Sequence, residues 1–422
     1  MSKYCLSDIA DFISEKVDFS SIELEEYIST DNMLPDFNGI TLSSVEPSLN
    51  KCTKFKANDT LFSNIRTYFK KVWFADFDGS CSPDVIVMRT KNEELVLPEF
   101  LYLLICSEDF INFTVISSNG AKMPRGDKKA MLKYEFEIPS IEEQKIAINH
   151  YFKIKEKIQL NTQINQTLEQ ISQALFKSWF VDFDPVRAKV QALSDGLSLE
   201  QAELAAMQAI SGKTPEELTA LSQTQPDRYA ELAETAKAFP CEMVEVDGVE
   251  VPKGWTFQYL KDICNIVYGK GLPKTKLTNT GYRVFGANGV IGYYSEFMYK
   301  NPQILIGCRG TVGQVTVSTP FSFITNNSLI IEYENSLINR YYLEHYLRTL
   351  NLKEISSGSV QLQITIQNMS GVKLLTPNRE TLSLYEINVK DIYETMYQNQ
   401  IENEKLTKVR DLLLPKLLSG EI

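Results

Sequence analysis

The chain has 422 residues, of which 43% are hydrophobic, and its formal net charge is −11. That length suits roughly two to four domains. The apolar share excludes a chain too polar to bury cores, and no apolar run approaches the ~18 residues of a membrane-spanning helix. The charge is uneven: residues 1–140 carry 15 basic and 22 acidic side chains, net −7, while residues 255–375 carry 11 and 6, net +5. Global charge governs solubility, whereas a local basic face favours phosphate, so the second segment is the electrostatic candidate for nucleic acid. Met1 to Asp11 lacks a basic stretch followed by an apolar block, so no secretory signal is expected. The seven cysteines are scattered, odd in number and without CxxC spacing. Reduced thiols in a cytoplasmic protein fit that pattern.

In chain order, Leu6 to Ala10 opens a region rich in Tyr, Phe, Val, Ile, Gly and Asn, predicted as a mixed domain over 1–140. A strand-like run, Tyr134 to Ile138, stops at Pro139 and leads into a long helix over 141–184. Residues 185–250 are rich in Ala, Glu and Gln. Short helices are expected over Glu200 to Ile210 and Pro215 to Leu221, with Pro226 and Pro240 as breaks, giving a partly helical connector rather than a third core. Leu260 to Cys264 then reopens the pattern of Leu6 to Ala10. A second mixed domain is predicted over 251–377, with alternating runs at Ile304–Ile306 and Val315–Val317. Val372 to Thr376 stops at Pro377, and a second long helix fills 378–422.

The chain is therefore written twice. The apolar seam of the first helix reads Ala147, Tyr151, Ile154, Ile158, Asn161, Asn165, Leu168, Ile171, Leu175, Trp179. That of the second reads Tyr385, Val389, Ile392, Met396, Asn399, Asn403, Leu406, Val409, Leu413, Leu417, each 238 residues later, the offset that also separates Pro139 from Pro377. Steps mainly of three and four describe a coiled-coil seam, and polar Asn in such a seam fixes register at a cost in stability. Two separate amphipathic helices are the plainer alternative, but matched register over ten positions favours helices that pack on each other. The expected fold is α+β: two mixed α/β domains joined by two long antiparallel helices in a coiled coil, with a pseudo-two-fold internal repeat. Such a monomer imitates a symmetric dimer, which suits two DNA half-sites.

Several polar groups could contact nucleic acid. Arg66 and Arg309 each follow an apolar strand-like run, and a guanidinium can grip phosphate or bond two acceptors of guanine. Ser118, Asn119, Lys122 and Arg125 lie on one polar loop, and its counterpart holds Ser357, Ser359, Gln361 and Gln363. Glycines beside them permit close backbone approach, and these side chains bond phosphates or base edges. Lys270, Lys274 and Lys276 flank Gly269 and Gly271 as candidate phosphate contacts. The plain alternative for each is a solvated loop. Tyr282, Phe285, Tyr293 and Tyr294 bracket further glycines, and core packing is the favoured role for them.

Enzyme motifs are mostly absent. Gly212-Lys213-Thr214 has Met207 where a phosphate-binding loop needs its first Gly. Asp182-Phe183-Asp184-Pro185 lacks the second Pro and aromatic of an adenine-methyltransferase pocket. Pro83-Asp84 stands about 60 residues before Glu143-Gln144-Lys145, too far for a nuclease carboxylate cluster. The two histidines, His150 and His345, flank helix aromatics and are expected to be structural, and without a Cys cluster they argue against zinc.

The sequence resembles the specificity subunit of type I restriction–modification systems over nearly its whole length. The resemblance rests on Tyr27–Met33, Leu61–Arg66 with Lys70–Ala75, Ile138–Gln144, Leu175–Pro185, Val251–Trp255, Gly286–Tyr293, Ile306–Gly313 and Leu412–Ser419. It adds Asn64, Lys70, Lys71, Asn288 and Thr311 as candidate DNA contacts. It implies a non-catalytic chain that reads a bipartite duplex site and binds two copies of a modification methyltransferase and a restriction motor-nuclease subunit. No cofactor is expected in this chain; S-adenosylmethionine, ATP and Mg would sit on the partners. In one departure, Thr67 precedes Tyr68 where the family often has Pro two residues after Asn-Ile-Arg. The seam from Ala147 to Trp179 measures about 50 Å at 1.5 Å per residue. Half-sites a DNA turn apart are separated by about 34–36 Å, so the helix pair is expected to set the spacer.

Overall fold

The structure, a computed structural model, describes residues 2–18, 23–43, 51–120, 122–334, 336–358 and 362–421. Contacts divide the chain into two units, Met1–Gln163 with Asn399–Ile422, and Ile164–Gln398. The division falls inside both long helices rather than at their starts.

In the first unit an antiparallel sheet is ordered Ala10–Ile13, Val85–Thr90, Thr60–Ser63, Val72–Phe74. A second sheet, ordered Lys16–Asp18, Lys51–Phe55, Gly79–Cys81, Tyr27–Ile28, ends in a parallel pair. The inner strands alternate little. Val85 to Met88 are all buried, because helices Pro98–Ile105 and Glu108–Ile116 cover one face and the second sheet's residues the other. Helix Pro98–Ile105 starts on Pro at its first turn, where the missing N–H costs nothing, and Ser107 caps the next helix by accepting from Phe110 N–H.

The second unit repeats the order. Its antiparallel sheet runs Asn265–Tyr268, Ser328–Glu332, Ile304–Gly307, Val315–Val317, beside a three-stranded sheet of Gly289–Tyr294, Tyr282–Gly286 and Ser322–Ile324. In both units a short N-terminal strand pairs with the strand before the long helix: Ser2–Cys5 with Glu135–Ile138, and Thr256–Tyr259 with Lys373–Thr376. The 238-residue offset extends to element boundaries. Helix Lys128–Leu132 matches Ile366–Ser370, and the two long helices, Ile141–Phe180 and Arg379–Leu418, each hold 40 residues. Their caps match too. Ser140 and Glu143 form a capping box on the first, and Asn378 accepts from Thr381 N–H on the second.

Within each unit the two helices run antiparallel. In the first, Ala147 and Tyr151 share a core with Leu414 and Leu417, and Asn161 Nδ2 donates to Asn403 Oδ1 at 2.9 Å. In the second, Asn165 Nδ2 donates to Met396 O at 3.0 Å, and the Trp179 ring lies 5.8 Å from that of Tyr385. The seam needs one correction. Ile171 and Val409, expected to face inward, are exposed, and their neighbours Ser172 and Arg410 are buried instead. An α-helix has 3.6 residues per turn, so a stripe of mean period 3.5 walks around it, and at these two positions the buried face has moved on by one residue, while Trp179 and Leu417 are buried as expected.

The 185–250 stretch is more ordered than its composition suggested. Four helices, Asp184–Ser194, Leu199–Ser211, Pro215–Thr224 and Pro226–Ala238, replace the two expected. Ala206, Met207, Leu218, Leu221 and Ala236 give them a small core of their own. Capping boxes Ser198–Gln201 and Thr214–Glu217 start two of them. Pro185, Pro215 and Pro226 sit in first turns, so Pro226 starts a helix instead of breaking one, whereas Pro240 follows the end of helix Pro226–Ala238 as expected. No helix among the described residues is long and apolar enough to cross a membrane.

Candidate nucleic-acid interface

In the first unit the inner strand Thr60–Ser63 delivers Asn64, Ile65 and Arg66 to one end of the sheet. Asn64 N–H donates to Asp84 O at 2.8 Å, and its carbonyl accepts from Gly126 N–H at 3.2 Å. Arg66 N–H donates to Pro124 O at 2.8 Å. The polar loop closes on itself through Asn119 N–H to Arg125 O (2.8 Å) and Arg125 N–H to Asn119 O (2.9 Å). At Gly126, where the loop meets the strand, a Cβ would run into the Met131 methyl and stand 2.9 Å from Asn64 Oδ1, so those two side chains are packed directly against the loop. Arg66 and Lys70 adopt left-handed backbone, φ 49° and 53°, on either side of the turn Thr67–Phe69.

The side chains around this end are partly engaged. Arg125 pairs with Asp84 at 2.8 Å and Lys70 with Glu108 at 3.6 Å, both solvent-facing pairs worth little on their own. Lys71 Nζ donates to Thr30 O at 2.6 Å, and Ser118 Oγ donates to Val115 O at 2.7 Å, closing a helix end. Lys122 is exposed.

The second unit builds the same end from different letters. Cys308 follows the inner strand Ile304–Gly307. Its N–H donates to Asn327 O at 2.9 Å, and its carbonyl accepts from Ile364 N–H at 3.2 Å. Ser357 and Gln363 exchange backbone bonds, both 2.9 Å. The pairs Asn119–Arg125 and Ser357–Gln363, and the donors Gly126 and Ile364, are separated by the same 238 residues. At Gly307 a Cβ would overlap Thr311 O and lie 2.9 Å from Ala287 O, so the loop Arg309–Gly313 and the hairpin tip Ala287–Asn288 close around it. Lys270 N–H donates to Ile324 O at 2.9 Å, bringing that lysine to the same end. Each unit thus gathers exposed cations and amides at the end of an inner strand, on loops held by main-chain bonds.

The profile of the type I restriction modification DNA specificity domain matches residues 1–170 and 252–410. The type I restriction enzyme HindI specificity subunit of Haemophilus influenzae is 43% identical over 458 residues, covering 100% of this chain and 99% of that protein. The chain belongs to the type I restriction–modification specificity subunit family. A more distant member of that family, the MjaIX specificity subunit of Methanocaldococcus jannaschii, is 24% identical over 78% of this chain and 69% of its own length. In fold, the chain resembles the crystal structure of the type I S subunit from M. genitalium, with a TM-score of 0.54 at 16% identity, covering 99% of this chain and 95% of that one.

In this specificity subunit the structure brings together Asn64, Arg66, Asn119 and Arg125 in the first unit, and Lys270, Asn288, Arg309, Thr311, Ser357 and Gln363 in the second. Ser359 and Gln361 lie outside the described residues. Lys274 and Lys276 ride on a turn bound through Thr278 N–H to Tyr293 O (2.9 Å), at the outer edge of the three-stranded sheet. The two arginines are not equivalent. Asn64 and Cys308 hold the same place, so Arg309 follows by one residue and Arg66 by two. Asn326 and Asn327, exposed at the second strand end, were missed; an Asn pair between two strand-like runs is the turn signal that could have found them. His345 is buried, stacked on Phe176 at 5.3 Å, with Tyr393 Oη 2.9 Å from its Nε2, whereas His150 is exposed.

Proposed function

We propose that the chain is a DNA-reading subunit with no catalytic machinery of its own. Each unit reads one half of a bipartite duplex site, and the long helices position two methyltransferase copies and a motor-nuclease subunit. The observation that carries this reading is the strand-end cluster, which recurs in both units with its loop held by the same main-chain bonds and offers Arg, Lys, Asn, Ser, Thr and Gln donors suited to phosphates and base edges. Exposed apolar side chains on the long helices, among them Ile146, Ile171, Ile387 and Leu412, support their role as partner surfaces. S-adenosylmethionine, ATP and Mg ions belong on the partners in this reading. The test is to co-express the chain with its methyltransferase and map methylated adenines by sequencing. A split motif is expected, and exchanging residues 1–140 for those of a relative should alter one half only. A continuous motif, or one changed in both halves by the exchange, would sink the proposal.

A further inference from the structure

In the first unit, whose exposed apolar side chains also include Leu42, Ile116 and Met123, the aromatic pair Tyr68 and Phe69 is 48% and 41% exposed, with ring centroids 4.7 Å apart. They sit at the tip of the turn whose two flanking residues, Arg66 and Lys70, are both left-handed without being glycine. Strained backbone of this kind persists only where its surroundings hold it, and it collects at functional positions. Here the surroundings hold it firmly. Phe69 N–H donates to Arg66 O (2.9 Å) and Lys70 N–H to Thr67 O (2.9 Å). Asp36 N–H donates to Phe69 O and Phe37 N–H to Lys70 O, both at 3.0 Å, and Arg66 N–H is bound by Pro124 O. Thr67 is buried beneath. Two rings are thus fixed outward on a clamped turn, where burying them would have been more stable.

Their neighbours identify the occupant. Arg66 and Lys70 border the turn, and the bond from Arg66 N–H to Pro124 O brings the loop of Lys122 and Arg125 beside it; Lys70 is paired with Glu108, Arg125 with Asp84, and Asp36 meets the turn from the other side. A rigid apolar tip flanked by Arg66 and by the loop of Lys122 and Arg125 fits a polyanion with a stack of flat apolar faces. Proteins that kink DNA insert apolar side chains between base steps in this way. The second unit has no such tip: counted from Cys308, the equivalent residues are Val312 and Gly313.

We propose that Tyr68 and Phe69 form a wedge that enters the duplex at the half-site read by the first unit and unstacks one base step there. The proposal rests on the DNA-reading function above. Its test uses the assembled complex with methyltransferase and duplexes carrying 2-aminopurine at successive positions of that half-site, the methylated adenine excepted. One step should brighten several-fold on binding. The double variant Tyr68→Ser/Phe69→Ser should lose that signal with its melting temperature unchanged, and Tyr68→Phe should keep it. Specific binding with no bright step, or a signal that survives the double variant, overturns the wedge alone. Failure of the double variant to assemble with methyltransferase would overturn it in favour of a protein-docking surface. Absence of any site-specific binding would overturn the wedge and the proposed function together.

Discussion

At the scale of single residues, the proposed function divides the loop side chains into expected base contacts and expected phosphate contacts. Arg309 is exposed beside Cys308, within reach of whatever meets the second strand end. Arg309→Ala is expected to cost about 1–3 kcal/mol of binding and to relax only one half of the motif, as for a lost bidentate contact. Lys274→Ala, on the outlying turn, should weaken binding to all sequences and flatten the salt dependence. Anisotropy titrations over a salt series check both, and equal effects on specificity would refute the sorting. His345 gives a different residue-scale outcome. Burial pushes its pKa down to about 4, opposed by Glu169 and reinforced by Arg348. The folded chain keeps the ring neutral while the unfolded chain protonates it near its ordinary 6.5. Stability from this group is therefore complete above about pH 6.5 and falls as pH drops from there towards 4, by roughly 3 kcal/mol at most. His345→Gln should flatten that limb in melts recorded from pH 7 to 4.5.

Among the elements, the helices were the most legible and the loops least. Periodicity, caps and the repeated offset fixed both long helices to within a few residues, because backbone hydrogen bonding and an apolar stripe are local properties. The slip from Ile171 to Ser172 was not legible, since it depends on how far the stripe has rotated where it meets its partner. Strand order was legible only as a class; the pairing of Thr60–Ser63 with Val85–Thr90 joins segments that no local pattern connects. The four-helix connector shows a further limit. Lys189 is buried, and its ammonium donates to Phe239 O at 2.7 Å and Lys237 O at 3.4 Å, closing the end of helix Pro226–Ala238. A lysine inside a polar-looking helix gives no hint of that role. Lys189→Met leaves two carbonyls without a donor and should destabilise the chain by about 1–3 kcal/mol. Hydrogen exchange should show the loss first in Pro226–Ala238; uniform protection there would count against the capping role.

For the whole molecule, the acidic total of −11 opposes the function proposed for its loops. A chain so charged repels duplex DNA outside its cationic ends, so partners must add phosphate contacts. The isolated chain is expected to bind its site weakly, and the assembly with methyltransferase at least tenfold more tightly at about 0.15 M salt, with a steeper salt slope. Equal affinity with and without the partner would refute this. The two-unit plan was legible because the sequence repeats at one offset, but the composition of each strand end was not. Asn64 and Cys308 hold one place with unlike residues, and it is their main-chain bonds, to Asp84 and Gly126 in one unit and to Asn327 and Ile364 in the other, that reveal the equivalence.

Those bonds bear on how the chain can change. Asn119 with Arg125, Ser357 with Gln363, and the links from Gly126 and Ile364 all run from main chain to main chain. A bond of that kind does not depend on the identity of the side chain beside it. Arg125 and Gln363 can therefore be replaced without loosening the loops that carry them, while Gly307, whose Cβ would meet the backbone oxygens of Thr311 and Ala287, cannot. Under the proposed function, mutation at Arg125 and Gln363 would explore new target sequences at almost no expense to folding, with the loop backbone held at Gly307.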